Sequence, residues 1–393
     1  MATIEFERRK ILRGALLMTV ASAATTLAPA GHAAGGTKFA RFAYTGSRTT
    51  KERGARGQGI NVFRVDQGTG AWSHVQLVQD LVNPSFLAFD REQRFLYAVH
   101  GDFSEISAFR VDREDGNLTL INQQSTGGKN PVHLVTDQSN KFMIVANYAT
   151  ASLAVLPLRN DGGLEPLTQL LQLPGNGGPN KVEQTASHPH HVVYDTAGRF
   201  LVVPDKGVDR IFTVAFDGTD PALKLADPGF VQTRPGSGPR HASFHPRLPI
   251  VYVNYELDSS LSVNQYDQAT GRITPVQVVP STPDTFVGAN TSAEVEVDPT
   301  GRFVYISNRG SDFIGAYSID SSSGRVSPIG WTPSGGRGPR FMKIDPSGTL
   351  LHAANELTDT IVTFAIEPES GKLRPTAQVV ETGSPTCIAF ANL

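Results

Sequence analysis

The stretch Asp298-Pro299-Thr300-Gly301-Arg302-Phe303-Val304-Tyr305-Ile306-Ser307 decides the fold. It joins a tight turn to a short β-forming run. Proline presets the second turn position, and glycine suits the fourth. The run that follows is aromatic and β-branched, the composition that strands prefer. Asp345-Pro346-Ser347-Gly348 before Leu350-Leu351-His352-Ala353-Ala354 repeats the arrangement. Looser versions lead into Phe95-Leu96-Tyr97-Ala98-Val99, Phe142-Met143-Ile144-Val145-Ala146, Phe200-Leu201-Val202-Val203 and Ile250-Val251-Tyr252-Val253. Before each turn lies another short strand, as in Ala242-Ser243-Phe244 or Val295-Glu296-Val297. After each hairpin comes a third, such as Leu261-Ser262-Val263 or Ile361-Val362-Thr363-Phe364. A Gly-x-apolar step then opens a fourth, at Gly116-Asn117-Leu118, Gly271-Arg272-Ile273, Gly324-Arg325-Val326 and Gly371-Lys372-Leu373.

Four antiparallel strands recurring at about 45–58 residues predict an all-β chain folded as a β-propeller. First strands open near Pro84, Pro131, Pro189, Pro239, Ala293, Pro339 and Pro385, which predicts seven blades. The seventh, ending Cys387-Ile388-Ala389-Phe390, has no strands after it. Its partners are expected at the other end of the chain, from Phe39 to Tyr44, Ile60 to Val65 and Trp72 to Val78. The last blade is thus closed by both termini, which removes the open edges that invite aggregation. A β-sandwich does not explain so regular a period.

Residues 1–33 read as an address. Arg8 and Arg9 precede an apolar, Ala-rich run from Ala15 to Leu27, and small residues offer cleavage after Ala33. The pattern is close to a twin-arginine export signal, with Glu7 where Ser or Thr is usual and Ile11 where Phe is usual. The apolar run is short for a stable span, which takes about 20 residues. The expectation is therefore a periplasmic or secreted protein with no membrane span in its mature form. Residues 34–393 show no linker or charge shift and are expected to form one domain, a monomer. The formal net charge is −2 and no basic stripe stands out, which argues against a nucleic-acid partner. Cys387 is the one cysteine, so no intrachain disulfide can form.

In an antiparallel hairpin the start of the first strand and the end of the second share one end. These positions converge on one mouth of the central channel. Aligning the units on their turns puts Ser85, Val132, His190, Arg240, Ala293, Arg340 and Thr386 in one register. Phe86, His133, His191, His241, Glu294, Phe341 and Cys387 form the next. Polar residues also follow the second strands: His100, Asn147-Tyr148, Asp205-Lys206, Asn254, Glu256, Asn308-Arg309 and Asn355-Glu356. Inner sheet positions ordinarily hold Val, Ile or Phe, so His, Arg and Glu in consecutive blades mark a site. The bland roles are a hydrogen-bonded structural histidine, a surface arginine at Arg240, and an inter-blade pair for Glu256. The charges of Asp205 to Arg210 read as blade contacts. Imidazoles in His188-Pro189-His190-His191 suit a metal ion, but no carboxylate or cysteine stands at close ligand spacing, so no metal is expected.

Gly238-Pro239-Arg240-His241-x-x-Phe244-His245-Pro246, followed by Val253-Asn254-x-Glu256-Leu257-x-Ser259-Ser260, resembles the propeller lactonases. That family includes bacterial 6-phosphogluconolactonase and fungal carboxy-muconate cyclase. Ser187-His188-x-His190, Asp205-x-Gly207-x-Asp209-Arg210 and Ser307-Asn308-Arg309-Gly310 extend the match from about residue 38 to the C-terminus. The resemblance implies a catalytic set of His190, Arg240, Glu256 and Arg309 at the channel mouth. His188, His191, His241, Asn254, Asn308 and Arg340 are expected to hold substrate around them. Tyr255 stands between Asn254 and Glu256, where many members read Asn-Glu directly. The export signal is the larger departure, because 6-phosphogluconolactone is a cytoplasmic metabolite.

Lactone hydrolysis needs a water relieved of a proton and donors for an oxyanion. Neutral His190 suits the first task, with Glu256 orienting His190 or an arginine, or serving as base itself. Arg240 or Arg309 suits the second, while the other holds a phosphate or carboxylate. No Gly-x-Ser-x-Gly elbow is present and no organic cofactor is implied. The reading is an exported hydrolase of a small sugar lactone. A muconate-type lactone cycloisomerase and a non-catalytic binding propeller are the alternatives.

Overall fold

The structure, a computed structural model, describes residues 39–218 and 222–393. The export segment expected at residues 1–33 lies outside them. The described strands form seven four-stranded antiparallel sheets. Blade 1 comprises Pro84–Phe89, Phe95–His100, Glu105–Val111 and Leu118–Ser125, and blade 2 comprises Pro131–Thr136, Phe142–Asn147, Ser152–Pro157 and Gln169–Gln172. Blade 3 comprises Val193–Tyr194, Phe200–Asp205, Arg210–Ala215 and Lys224–Gln232. Blade 4 comprises Pro239–Phe244, Ile250–Tyr255, Ser260–Tyr266 and Ile273–Pro280. Blade 5 comprises Thr291–Val297, Phe303–Arg309, Phe313–Ile319 and Val326–Pro333, and blade 6 comprises Pro339–Ile344, Leu350–Asn355, Thr360–Ile366 and Leu373–Glu381. In blade 7, Pro385–Ala391 pairs with Phe42–Ser47, which continues through Ile60–Val65 to Trp72–Val78. Both ends of the propeller chain thus meet in one sheet, as the strand count requires. Among the described residues no helix is long and apolar enough to cross a membrane.

The turn chemistry repeats around the ring. An aspartate Oδ1 accepts the backbone N–H five residues on, where the second strand begins: Asp90 from Phe95, Asp137 from Phe142, Asp195 from Phe200, Asp298 from Phe303 and Asp345 from Leu350. In blade 4 His245 replaces the aspartate, and its Nδ1 accepts N–H bonds from Arg247 and Leu248. The Gly-x-apolar glycines explain themselves in the same way. The backbone of Gly116 has φ 78°, and a Cβ there would stand 2.4 Å from Cδ1 of Phe42 in the preceding blade. The Gly116 carbonyl accepts a hydrogen bond from Tyr44 of that blade at 2.8 Å. Tyr97, Tyr252 and Tyr305 donate to Gly162, Gly324 and Gly371 from the same strand position. Each bond ties a blade to the next at the end away from the mouth.

Apolar faces interleave between blades. One core cluster runs from Phe341, Ala354 and Ile361 of blade 6 through Phe42, Tyr44 and Ile60 of blade 7 to Leu87 and Leu96 of blade 1.

Two elements depart from the sequence reading. The strand expected from Phe39 to Tyr44 runs three residues later, at Phe42–Ser47. Thr45, Gly46 and Ser47 look like a loop but pair with Ile388, Cys387 and Pro385. Gly46 leaves no room for a side chain, since a Cβ would lie 2.3 Å from the Pro84 carbonyl. The inner strand of blade 3 shrinks to Val193–Tyr194 plus an isolated bridge between Pro189 and Asp205. There the Asp205 carboxylate takes over from the ladder, accepting bonds from the Ser187 hydroxyl and the His188 N–H at 2.5 and 2.7 Å.

Candidate active site

The mouth is built by a slip in the inner strands. In blade 4, Pro239 pairs with Tyr255 and His241 with Asn254, so Arg240 is left between rungs. Proline has no N–H to offer the ladder. The same slip isolates Ser85, Val132 and Arg340 in blades 1, 2 and 6. In a regular strand, neighbours such as Arg240 and His241 would face opposite ways, and a bulge lets both turn into the channel. Blade 5 makes the same one-residue slip over a longer step, leaving Ala293 and Glu294 opposite Ser307 alone, between the rungs of Ser292 and Val295.

The pairing also settles where Glu256 belongs. Tyr255 takes the rung held by Asn147 in blade 2 and Asn355 in blade 6. Glu256 follows it at the position of Tyr148 and Glu356, so Tyr255 displaces nothing.

Ser85, Val132, His190, Arg240, Arg340 and Thr386 line the narrow part of the hollow, with Phe86, His241 and Phe341 at its floor. Above it the mouth widens to about 200 Å³ and reaches Tyr148, Lys206, Glu256 and Arg309. Glu256 sits at the electrostatic centre. One carboxylate oxygen lies 3.0 Å from Arg309 and 3.4 Å from Lys206, and the other lies 2.9 Å from Nε of Arg240. The Arg240 contact is close but out of line for a hydrogen bond. Arg240 also donates to the Ala293 carbonyl, and Arg309 to that of Ser292 at 3.3 Å. Burial pushes Glu256 up, yet Arg309, Lys206, Arg240 and Arg340 overcome it and hold the carboxylate well below its usual range. Burial pushes Arg240 down against the pull of Glu256, but a guanidinium stays charged at neutral pH.

His190 opens onto both parts of the hollow. Its Nδ1 is buried without a hydrogen-bond partner among the described residues. Burial, then Arg240, His241, Lys206 and Arg340, hold it well below 6.5, so the ring is neutral at pH 7. No described contact joins His190 to Glu256, which corrects the expectation that Glu256 could orient that ring. Glu256 is engaged by cations, and its depressed pKa makes it a poor base.

The remaining expected residues divide. Arg340 and His241 line the hollow. His191 packs beside His241, its ring centre 4.5 Å from that of His241 and 3.9 Å from that of His133. The other three are not brought into the hollow. Asn254 is fully buried, accepting the His241 N–H and donating to Ser292. Asn308 is spent on Ser281 and Asn290. Both nitrogens of His188 are bonded, to the Tyr148 carbonyl and the Thr185 hydroxyl, and its ring stacks on Tyr148 at 4.4 Å. Among the described residues no group of three or more His, Cys, Asp or Glu is arranged to hold a metal ion.

The sequence reading missed Arg48. It follows Phe42–Ser47 as Arg309 ends its own strand, lines both parts of the hollow, and pairs with Asp102 at 3.4 Å. Placing that strand three residues early hid it. Lys206, read as a blade contact, also lines the hollow, bonded to Glu183 at 2.7 Å. Along the mouth Arg48, Arg53, Lys206, Arg309 and Arg340 outnumber Glu183 and Glu256. The wall therefore favours an anionic ligand.

Comparison with known proteins agrees with this architecture. Residues 42–390 match the model of a family described as lactonase, seven-bladed β-propeller. The 6-phosphogluconolactonase of Formosa agariphila is 33% identical over 312 residues, covering 76% of this chain and 84% of that protein. That of Bacillus subtilis is 30% identical over 286 residues, covering 72% and 80%. Among solved structures, a periplasmic gluconolactonase of Pseudomonas aeruginosa superposes with a TM-score of 0.82 at 30% identity, covering 89% of this chain and 98% of that one. This chain belongs to the lactonase family of seven-bladed β-propellers.

Proposed function

We propose that the protein hydrolyses a sugar lactone at this mouth, as an exported monomer in the periplasm or outside the cell. The observation that carries the reading is an unpartnered, neutral His190 beside two guanidiniums fixed by one carboxylate. His190 takes a proton from the attacking water. Arg240 and Arg309 face the acyl end of the substrate, where one receives the oxyanion and the other an anionic substituent. Glu256 holds both in place and stays ionised. The charges that depress His190 include Arg240, so an oxyanion growing beside Arg240 offsets them and strengthens the base as the barrier is climbed. Arg48 and Arg340 supply further positive charge for a carboxylate or phosphate. The names of the relatives support lactones as the substrate class, and the paired arginines Arg8 and Arg9 support export.

The test is acid release by purified protein lacking residues 1–33, against a panel of phosphorylated and plain sugar lactones. Catalysis above the spontaneous rate, competitively inhibited by the product acid, is expected. A rate equal to the spontaneous one on every lactone overturns the reading.

A further inference from the structure

Opening a lactone takes two proton transfers. One removes a proton from water, and the other supplies the ring oxygen as its bond to the acyl carbon breaks. The site described so far provides for the first. The floor of the hollow contains a second histidine. His241 follows Arg240 on the inner strand of blade 4, and its Nδ1 lies 2.9 Å from Oε2 of Glu294. Glu294 reaches it because the slip in blade 5 frees that residue from the ladder. Both residues are buried, and among the described residues neither Nδ1 nor Oε2 has a hydrogen bond to another group. Their present contact is out of line, yet a buried donor and acceptor left alone are costly, and these two stand within reach of each other.

Resting on the lactonase reading, we infer that Glu294 and His241 hold one proton more than a carboxylate and a neutral imidazole need, so that His241 gives its Nε2 proton to the departing ring oxygen while the proton between Glu294 and Nδ1 settles on Nδ1. Water oxygen bonds to the acyl carbon while one of its protons passes to His190. The electron pair of the breaking acyl carbon–oxygen bond stays on the ring oxygen, which takes the proton from His241. A Glu294 carboxylate then faces a neutral His241. His190, its ring centre 5.2 Å from that of His241, returns its proton to the pair. The product acid ionises and releases the proton that an assay detects. His241 is the catalytic residue of this step and Glu294 its positioning residue.

The surroundings favour one shared proton. Around His241 stand Arg240, Arg340, Arg309 and Glu256, and around Glu294 stand Arg240 and Lys343. Lys343 is itself bonded to Glu296 at 2.7 Å. The rings of Phe86, His133, His190 and His191 pack against His241. Burial, then Arg240, oppose a lasting positive charge on His241, while burial favours a proton on Glu294. Either way the pair keeps one.

The test compares leaving groups. A sugar δ-lactone expels an alkoxide, which needs the proton, whereas an aryl lactone expels a phenoxide whose phenol has a pKa of about 10, which needs it far less. Glu294→Gln should lower kcat on the sugar lactone about 10²-fold and spare the aryl lactone, at an unchanged thermal midpoint. If that variant fails to fold, His241→Gln should reproduce the pattern. Equal losses on both substrates, or no loss on either, overturn the assignment. A wild type inactive on both overturns the lactonase reading. The shared proton is then decided by ¹⁵N spectra of histidine-labelled protein. A proton on Nδ1 of His241 that is perturbed by Glu294→Gln supports the pair, and an Nδ1 indifferent to Glu294 refutes it.

Discussion

The two ends of the ring are built on opposite plans. At the end away from the mouth the same contacts recur: in five blades an aspartate closes the hairpin, and at four junctions a buried tyrosine is bonded to the turn glycine of the next blade. At the mouth one register holds Ser85, Val132, His190, Arg240, Ala293, Arg340 and Thr386, with hardly two alike. A contact that recurs serves the closure of the ring. A position whose occupant changes with every blade, and changes toward charge, serves whatever enters it. The energetics follow the same division. The far end stores stability in many small bonds between rigid neighbours. The mouth gathers Arg240, Arg309 and Lys206 around Glu256, an arrangement that stabilises little but fixes directions.

Substitutions at the two ends should therefore separate activity from stability. The largest loss of activity is expected at Arg240. Arg240→Lys keeps a charge but loses the planar fork, so turnover should fall about 10²–10³-fold, with a thermal midpoint within about 2 °C of wild type. At the far end, Gly116→Ala forces a side chain into a left-handed backbone and onto Phe42. It should cost about 2–5 kcal/mol in denaturant unfolding while the folded fraction keeps its turnover.

Acid should weaken the ring next. Burial lowers His352 to about 3, below its unfolded value of 6.5, and lowers His133 and His191 as well. The unfolded chain thus binds protons that the folded one refuses. Stability is fully present above pH 6.5 and declines as pH falls toward about 3. His352→Phe should flatten that decline by about 1.4 kcal/mol per pH unit, read from midpoints measured across the acid range. The smallest effect is expected for Tyr305→Phe. It removes one buried hydrogen bond, to Gly371, and should cost about 1 kcal/mol with no change in turnover.

The same contrast decides what could be read from the chain alone. The far end was legible because its chemistry is local: Asp-Pro-x-Gly, an aromatic lead and a turn glycine each carry their reason within a few residues. Counting them yields the blades and the closure by both termini. The mouth was legible only as far as register. His190, Arg240, Glu256 and Arg309 could be aligned, but what each touches depends on other blades. Asn254 and Asn308 stand at polar strand ends yet are consumed inside their own neighbourhoods, and His188 props Tyr148. Arg48 escaped because a strand boundary was misjudged by three residues, an error that moves a whole side chain out of the ring. The slip that brings Glu294 against His241 has no local signature, since it arises where the strand after Asn290 meets its partner.

The central claim is that the mouth works on a lactone while the far end holds the ring together. The most direct test is His190→Ala, assayed together for acid release from the best sugar lactone and for its thermal midpoint. Among the described residues His190 has no hydrogen bond at its buried Nδ1 to lose, so the midpoint should stay where it is. Turnover should drop about 10²–10⁴-fold, because the water loses its proton acceptor. Undiminished turnover, or a loss of turnover matched by a collapse of the midpoint, would contradict the account.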